Sequence, residues 1–114
     1  MITLYGISNC DTVRKTKKWL EHRDIDYRYH DFRNDGVTAD LIEKWCQALG
    51  WEQVLNKRGT TFRNLAETDK KDLSLRKAIK LMQQQPTLIK RPVIVADKHV
   101  HVGFSESFLQ AHCL

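Results

Sequence analysis

No apolar run in this chain is long enough to cross a bilayer, and residues 1–5 offer neither a basic leader nor the extended apolar stretch of a secretory signal. The expected location is the cytoplasm, with no membrane partner. Cysteine is sparse: Cys10, Cys46 and Cys113 are odd in number and far apart, which argues against a disulfide-framed scaffold and suits a reducing compartment. The glycines are isolated, so no Gly-rich phosphate loop is present. Nor do aromatic residues interleave with the basic patches at residues 14–18, 57–63, 76–80 and 90–91, as they would on a nucleic-acid stacking platform. Direct nucleic-acid binding is therefore not expected. Internal repeats and low-complexity segments are absent as well.

What remains is the composition of a folded globular protein. The 114 residues are 41% hydrophobic and 29% charged, enough for a single domain with its own core and too few for two independent ones. Lys and Arg outnumber Asp and Glu by 19 to 14, a formal charge of +5 that favours anionic ligands.

Periodicity divides the chain into three parts. Residues 1–5 read as a buried strand, 6–9 as a turn, 11–22 as a helix with Val13, Thr16 and Leu20 on one side, and 27–31 as a second strand. Such a βαβ unit has parallel strands and a right-handed crossover. The middle, about residues 36–86, reads as a helical insertion. Thr38 caps a helix with Leu41, Ile42, Trp45 and Leu49 on one face, and Gly50 follows it where a left-handed C-terminal residue is wanted. Ser74 opens another with Leu75, Ala78, Ile79 and Met82 in register, ending before Pro86. Between them "NKRGTTFRN" reads as a polar, basic loop. The last third, "RPVIVADKHVHVGF", reads as a hairpin turning at Asp97 and Lys98, and Ser105 caps a closing helix through Leu109 that packs on the sheet. The order is βαβ, helical insertion, ββα. Trp19, Trp45 and Trp51 fall in or beside apolar helical patterns and are expected to pack between elements.

The stretch "GISNCDTVRK" holds the candidate chemistry. Cys10 falls where the first strand gives way to the first helix, beside unpaired amides and the positive end of the helix dipole, which favour thiolate over thiol. Lowering a thiol pKa by two units needs roughly 2.7 kcal/mol, and a surface helix end supplies about 0.3 to 1 kcal/mol. A cation is therefore expected nearby. Arg14 on the same helix, Arg58 in the basic loop and Arg91 before Pro92 are the candidates. A proline opening the third strand of such a fold often takes the cis form facing the helix start, which favours Arg91. Asp11 either caps the helix or opposes the thiolate. The competing reading makes Cys10 a small packing residue, but the polar neighbours Asn9 and Asp11 favour access. Cys46 and Cys113 read as passive.

Other chemistries fit less well. His99 and His101 share a strand face but lack an evident third ligand, so no metal site is expected. A tyrosine-phosphatase loop needs five residues between its cysteine and arginine, whereas three separate Cys10 from Arg14.

The blocks "LYGISNCDTVRKTKKWLE", "YRYHDFRNDG", "LGWEQVLNKRGTTFRNL", "KRPVIV" and "VGFSES" resemble, in order and spacing, the arsenate-reductase-like family of thioredoxin fold that includes ArsC and Spx, most closely its YffB group. The resemblance covers essentially the whole chain. It implies a thioredoxin-like α/β fold, Cys10 as the redox-active thiol, and Arg91 beside a cis Pro92 as the stabiliser of anions and thiolate. Thr12 and Arg14 match the family's Cys-x-Thr-x-Arg stretch, and Arg58 lies near its insertion arginine. Asn9, Thr12, Arg14, Arg58 and Pro92 are thus expected on the substrate side of the site.

Two departures shape the functional expectation. Where Spx-type regulators carry a second cysteine this chain has Val13, and the late arginine of arsenate reductases falls at Gly103. A mixed disulfide on Cys10 would need an external thiol, of which glutathione is the obvious cytoplasmic one. The leading expectation is a glutathione-dependent thiol reductase acting on a small oxidised or disulfide substrate, with glutathione as co-substrate and no tightly bound cofactor. A regulator that binds RNA polymerase or another acidic protein is second, and arsenate reduction third.

Overall fold

Alternation builds the first strand. In β1 (Ile2–Gly6) Ile2, Leu4 and Gly6 are buried while Thr3 and Tyr5 are half-exposed, the pattern of a strand with one face in the core. The computed structural model describes residues 1–114 and resolves them into two compact units, residues 1–36 with 91–114, and residues 37–90.

The first unit holds one four-stranded sheet in the order β2-β1-β3-β4. From β1 the chain passes through α1 (Asp11–Glu21) to β2 (Tyr27–Asp31), which pairs parallel to β1 with Ile2 opposite Tyr27 and Gly6 opposite Asp31. A short α2 (Phe32–Asp35) follows. β3 (Val93–Ala96) lies antiparallel to β1, and the hairpin through Asp97, at φ 55°, returns as β4 (His99–Val102). A closing helix, Glu106–His112, is capped by Ser105, whose hydroxyl accepts the Phe108 amide at 3.2 Å. It runs past Leu109 because its last turn is also packed: Phe108 and His112 rings meet at 4.7 Å, and Cys113 is buried just beyond. Ile2, Leu4, Ile94 and Ala96 on one sheet face form a core with Trp19 and Leu20 of α1 and with Leu109 and Cys113. This is the thioredoxin-like arrangement of βαβ and ββα.

The second unit is helical. α3 (Ala39–Leu49) is capped by Thr38, which accepts the Leu41 amide at 3.2 Å, and buries Ile42, Trp45 and Cys46. Gly50 ends it with φ 90° and ψ 139°, a positive φ that favours glycine, though not the left-handed helical conformation. α4 (Trp51–Val54) follows, and an isolated bridge joins Leu55 to Ile89. The stretch expected as loop holds a helical turn, α5 (Thr60–Arg63), closed by the Arg63 amide on the Gly59 carbonyl at 3.2 Å. After α6 (Glu67–Lys70) comes α7 (Leu75–Gln84), capped by Ser74, and a 3₁₀ turn at Pro86–Leu88. The buried face of α7 is Ala78, Leu81 and Met82, with Leu75 left 40% exposed. The face expected from sequence is thus shifted. Side chains lean toward a helix's N-terminus, so a first-turn leucine projects beyond the packed length while Leu81 lies within it. No helix is long and apolar enough to cross a membrane.

Candidate active site

The end of β1 brings the start of α1 close. A Cβ on Gly6 would lie 2.7 Å from Cγ2 of the buried Val13, so only glycine permits this approach. The chain then turns through Ser8 and the exposed Asn9, and Cys10 becomes the N-cap of α1 in extended conformation. Its carbonyl accepts the Arg14 amide at 3.0 Å, while its half-buried sulfur makes no capping hydrogen bond and feels the Thr12 and Val13 amides only as a lowering of its pKa. Cysteine here takes the place normally held by serine or aspartate.

Thr12 ties the site together. Its Oγ1 is 3.0 Å from the Cys10 Sγ and donates to the Arg91 carbonyl at 3.1 Å. A hydroxyl has one proton and two lone pairs. With Cys10 as thiol, the S–H donates to Oγ1 and the hydroxyl serves the Arg91 carbonyl. With Cys10 as thiolate, the same proton turns to the sulfur. The Arg91 side chain also lowers the Cys10 pKa, and the Arg91–Pro92 peptide is cis with Pro92 buried.

The balance of these contacts favours ionisation. Burial pushes the Cys10 pKa up, but the Thr12 hydroxyl, the Val13 amide, the Arg91 side chain and the Thr12 amide together bring it below the ordinary thiol value. The cation sought from sequence is present, yet it ranks behind the threonine hydroxyl and one backbone amide. Thr12, expected on the substrate side, is itself a partner of the sulfur. A hydroxyl two residues after an N-cap cysteine was the available signal; the identity of the amide donors is a backbone property that no residue type announces.

The other two thiols behave differently. Burial, with the Glu43 carboxylate nearby, pushes Cys46 up to about 11, and burial pushes Cys113 up as well. All three cysteines are free. Asp11 neither caps α1 nor stands alone: it is the first helical residue and pairs with Arg14 in an exposed ion pair. The Arg14 guanidinium is thus engaged on the helix surface. Arg58 belongs to the second unit, where its amide donates to Asn56 Oδ1 at 3.0 Å. The exposed His99 stacks on His112 with ring centroids 3.9 Å apart, while the half-buried His101 lies against Phe108.

A buried carboxylate went unnoticed in the sequence. Asp31 ends β2, accepts the Ser8 hydroxyl at 3.2 Å and the Arg33 amide at 2.8 Å, and caps α2. Burial raises its pKa, but these donors outweigh burial and hold the carboxyl below its usual range. Asp31 fixes the turn that leads into Cys10. Tyr29, on the same strand, carries the Lys17 ammonium 3.5 Å from its ring centroid; burial and the charges of Asp31, Cys10 and Asp35 push its phenol up to about 12.

A protein of Haemophilus influenzae is 44% identical over 111 residues, covering 97% of each chain. The global transcriptional regulator Spx of Listeria innocua is 32% identical over 108 residues, 93% of this chain and 82% of its own. The solved structure of the YFFB protein superposes with a TM-score of 0.97 at 41% identity, with full coverage of both chains. Residues 5–111 match the ArsC family, a span that holds both Cys10 at its helix start and Arg91 before the cis proline, and the chain belongs to that family.

Proposed function

We propose that this protein is a thiol reductase that uses Cys10 as its single attacking sulfur and glutathione as the thiol that regenerates it. What supports this reading is the N-cap sulfur 3.0 Å from the Thr12 hydroxyl at a helix start, where that hydroxyl, the Val13 and Thr12 amides and the Arg91 side chain lower its pKa while burial raises those of Cys46 and Cys113. The Cys10 thiolate attacks one sulfur of a substrate disulfide, forming a mixed disulfide and releasing the other half as a thiolate that takes a proton from water. A glutathione thiolate then attacks the mixed disulfide. It frees either Cys10, with the first substrate half now joined to glutathione, or the substrate thiol, leaving glutathione on Cys10. A second glutathione completes the exchange, so that two glutathiones are oxidised to one disulfide for each substrate disulfide reduced. Arg91 holds the sulfur's negative charge and an anionic group on the incoming thiol, with Asn9 beside the sulfur in sequence.

The direct test is steady-state reduction of a small disulfide such as hydroxyethyl disulfide by glutathione, with glutathione disulfide measured as product. Turnover is expected in the native protein and lost in Cys10→Ser. A native protein whose Cys10 alkylates readily but does not turn over would remove this reading.

A second reading is favoured by the 32% identity to a protein named as a global transcriptional regulator and by the net positive charge. In it the chain binds RNA polymerase or another acidic protein. Capture of such a partner that persists in Cys10→Ser favours binding, whereas loss of function on that substitution favours the enzyme. Arsenate reduction is third, because Gly103 stands where the resemblance calls for a late arginine; arsenate turnover decides it.

A further inference from the structure

The positive charge of the chain is unevenly placed. Residues 37–90 carry ten Lys and Arg against six Asp and Glu, so +4 of the formal +5 belongs to the helical unit. Part of it surrounds an open cleft of about 330 Å³ lined by Glu52, Leu55, Asn56, Lys57, Arg58 and Lys90. Three cations thus face one carboxylate, and none of the four takes part in an ion pair of 4 Å or less. The Lys57 ammonium lies 5.3 Å from the Trp51 ring centroid, and Lys90 is half-buried.

The backbone that carries these side chains is fastened. The Asn56 amide donates to the Leu88 carbonyl at 2.7 Å and the Lys90 amide to the Val54 carbonyl at 2.9 Å, on either side of the Leu55–Ile89 bridge. Leu55 and Ile89 are fully buried at that bridge. The Arg58 amide donates to the Asn56 side chain, which fixes the turn leading to Arg58. These main-chain bonds fix Asn56 opposite Leu88 and Lys90 opposite Val54, at the two ends of one short antiparallel pairing, so an ion entering the cleft that both residues line need not order the backbone first.

We propose that this cleft is an anion-binding site for a compact dianion, a phosphate-type oxyanion or a small dicarboxylate, with Arg58 and Lys90 as its principal contacts. A guanidinium offers paired donors to two oxygens of one acid group, and ammonium groups add point charges. Leu55 is the single apolar residue of the lining, so the cleft has little for a large apolar body. Glu52 leaves a net charge of +2, which matches a dianion better than a single carboxylate. The site is independent of whether Cys10 turns over.

The test is a titration of the native full chain by two-dimensional amide NMR at constant ionic strength, with inorganic phosphate in one arm, succinate in a second and chloride as control. Saturable shifts clustered on Asn56, Lys57, Arg58 and Lys90 are expected in the phosphate or the succinate arm, and the arm that saturates identifies the oxyanion or the dicarboxylate. Arg58→Ala and Lys90→Ala are each expected to weaken binding at least about fivefold while their spectra remain those of a folded chain; Lys77→Ala, outside the cleft, should leave it unchanged. Shifts spread over all basic segments, lack of saturation in both arms, or equal shifts with chloride would mean charge screening only and would overturn the site.

Discussion

α1 and α3 are both eleven-residue amphipathic helices, one with a cysteine at its N-cap and the other with a cysteine in its body, yet the two thiols are driven in opposite directions. Cys10 sits at the N-cap of α1, where the Val13 and Thr12 amides favour its charge; Cys46 lies in the buried stripe of α3, past the first turn, with the Glu43 charge near. The lesson is that a position relative to the helix end, more than the residue, decides whether a thiol is a nucleophile or a packing group. The same contrast extends to the units that hold them. The sheet unit is nearly neutral and carries the candidate nucleophile, whereas the helical unit carries most of the net charge and no thiolate-stabilising site.

The largest expected effect breaks this contrast outright. At neutral pH, Cys10→Ser should lower the rate of thiol alkylation in the folded chain by about two orders of magnitude, and Cys46→Ala should leave it within about twofold of native. Mass spectrometry of the alkylated sites reads the result. Fast labelling of Cys46 in the native fold would show that the buried stripe does not protect it. Because its folded pKa is raised to about 11, the thiol form is the one the fold favours. That preference stabilises nothing at neutral pH and becomes a loss of stability as pH climbs past the unfolded value of ~8.5.

Next in size is the comparison of cores. Leu4 and Met82 are fully buried, one in each unit, and truncation to Ala should cost about 2–5 kcal/mol at either site. Urea unfolding followed by near-UV and far-UV circular dichroism tests whether both variants shift one shared transition. Two separated transitions, each moved by one variant only, would make the units independent folding bodies. Gly6→Ala should follow at about 1–3 kcal/mol, since its Cβ meets the stiff, buried Val13 side chain. It should also raise the Cys10 pKa, because Val13 supplies one of the amides at the sulfur.

Much of this frame was legible in sequence, for identifiable reasons. Strand alternation at residues 1–5, the Ser and Thr caps at Thr38, Ser74 and Ser105, and the turn at Asp97 are local signals, and the elements they announced are present. Orientation and pairing were harder. On α7 the expected face keeps Ala78 and Met82 but takes Leu81 in place of Leu75, because both leucines fit the helical period and only the partner surface chooses between them. The helical turn at Thr60–Arg63 has no apolar stripe to declare it. At the site, Cys10 and Arg91 are 81 positions apart and were linked through the fold resemblance, while the role of Asp31 depends on a parallel register that places the end of β2 beside Gly6 and on Ser8 reaching it.

The smallest effect is the most discriminating for mechanism. If hydrogen bonds outrank the cation at Cys10, Thr12→Val should raise its apparent pKa through loss of a hydrogen bond worth roughly 1–1.5 kcal/mol, and Arg91→Ala should raise it by less. Thr12→Ser keeps the hydroxyl and should stay near native. The pH dependence of Cys10 alkylation measures all three, and a larger shift in Arg91→Ala than in Thr12→Val would reverse the order. The linked effect on stability has a definite sign. A thiol whose folded pKa lies below its unfolded one stabilises the fold fully above the unfolded value, and this contribution is lost as pH falls through the folded value. Thr12→Val should therefore weaken the protein more at pH ~9 than at pH ~6 relative to native. An equal loss at both pH values would assign Thr12 to packing and to its bond with the Arg91 carbonyl, with no part in holding the thiolate.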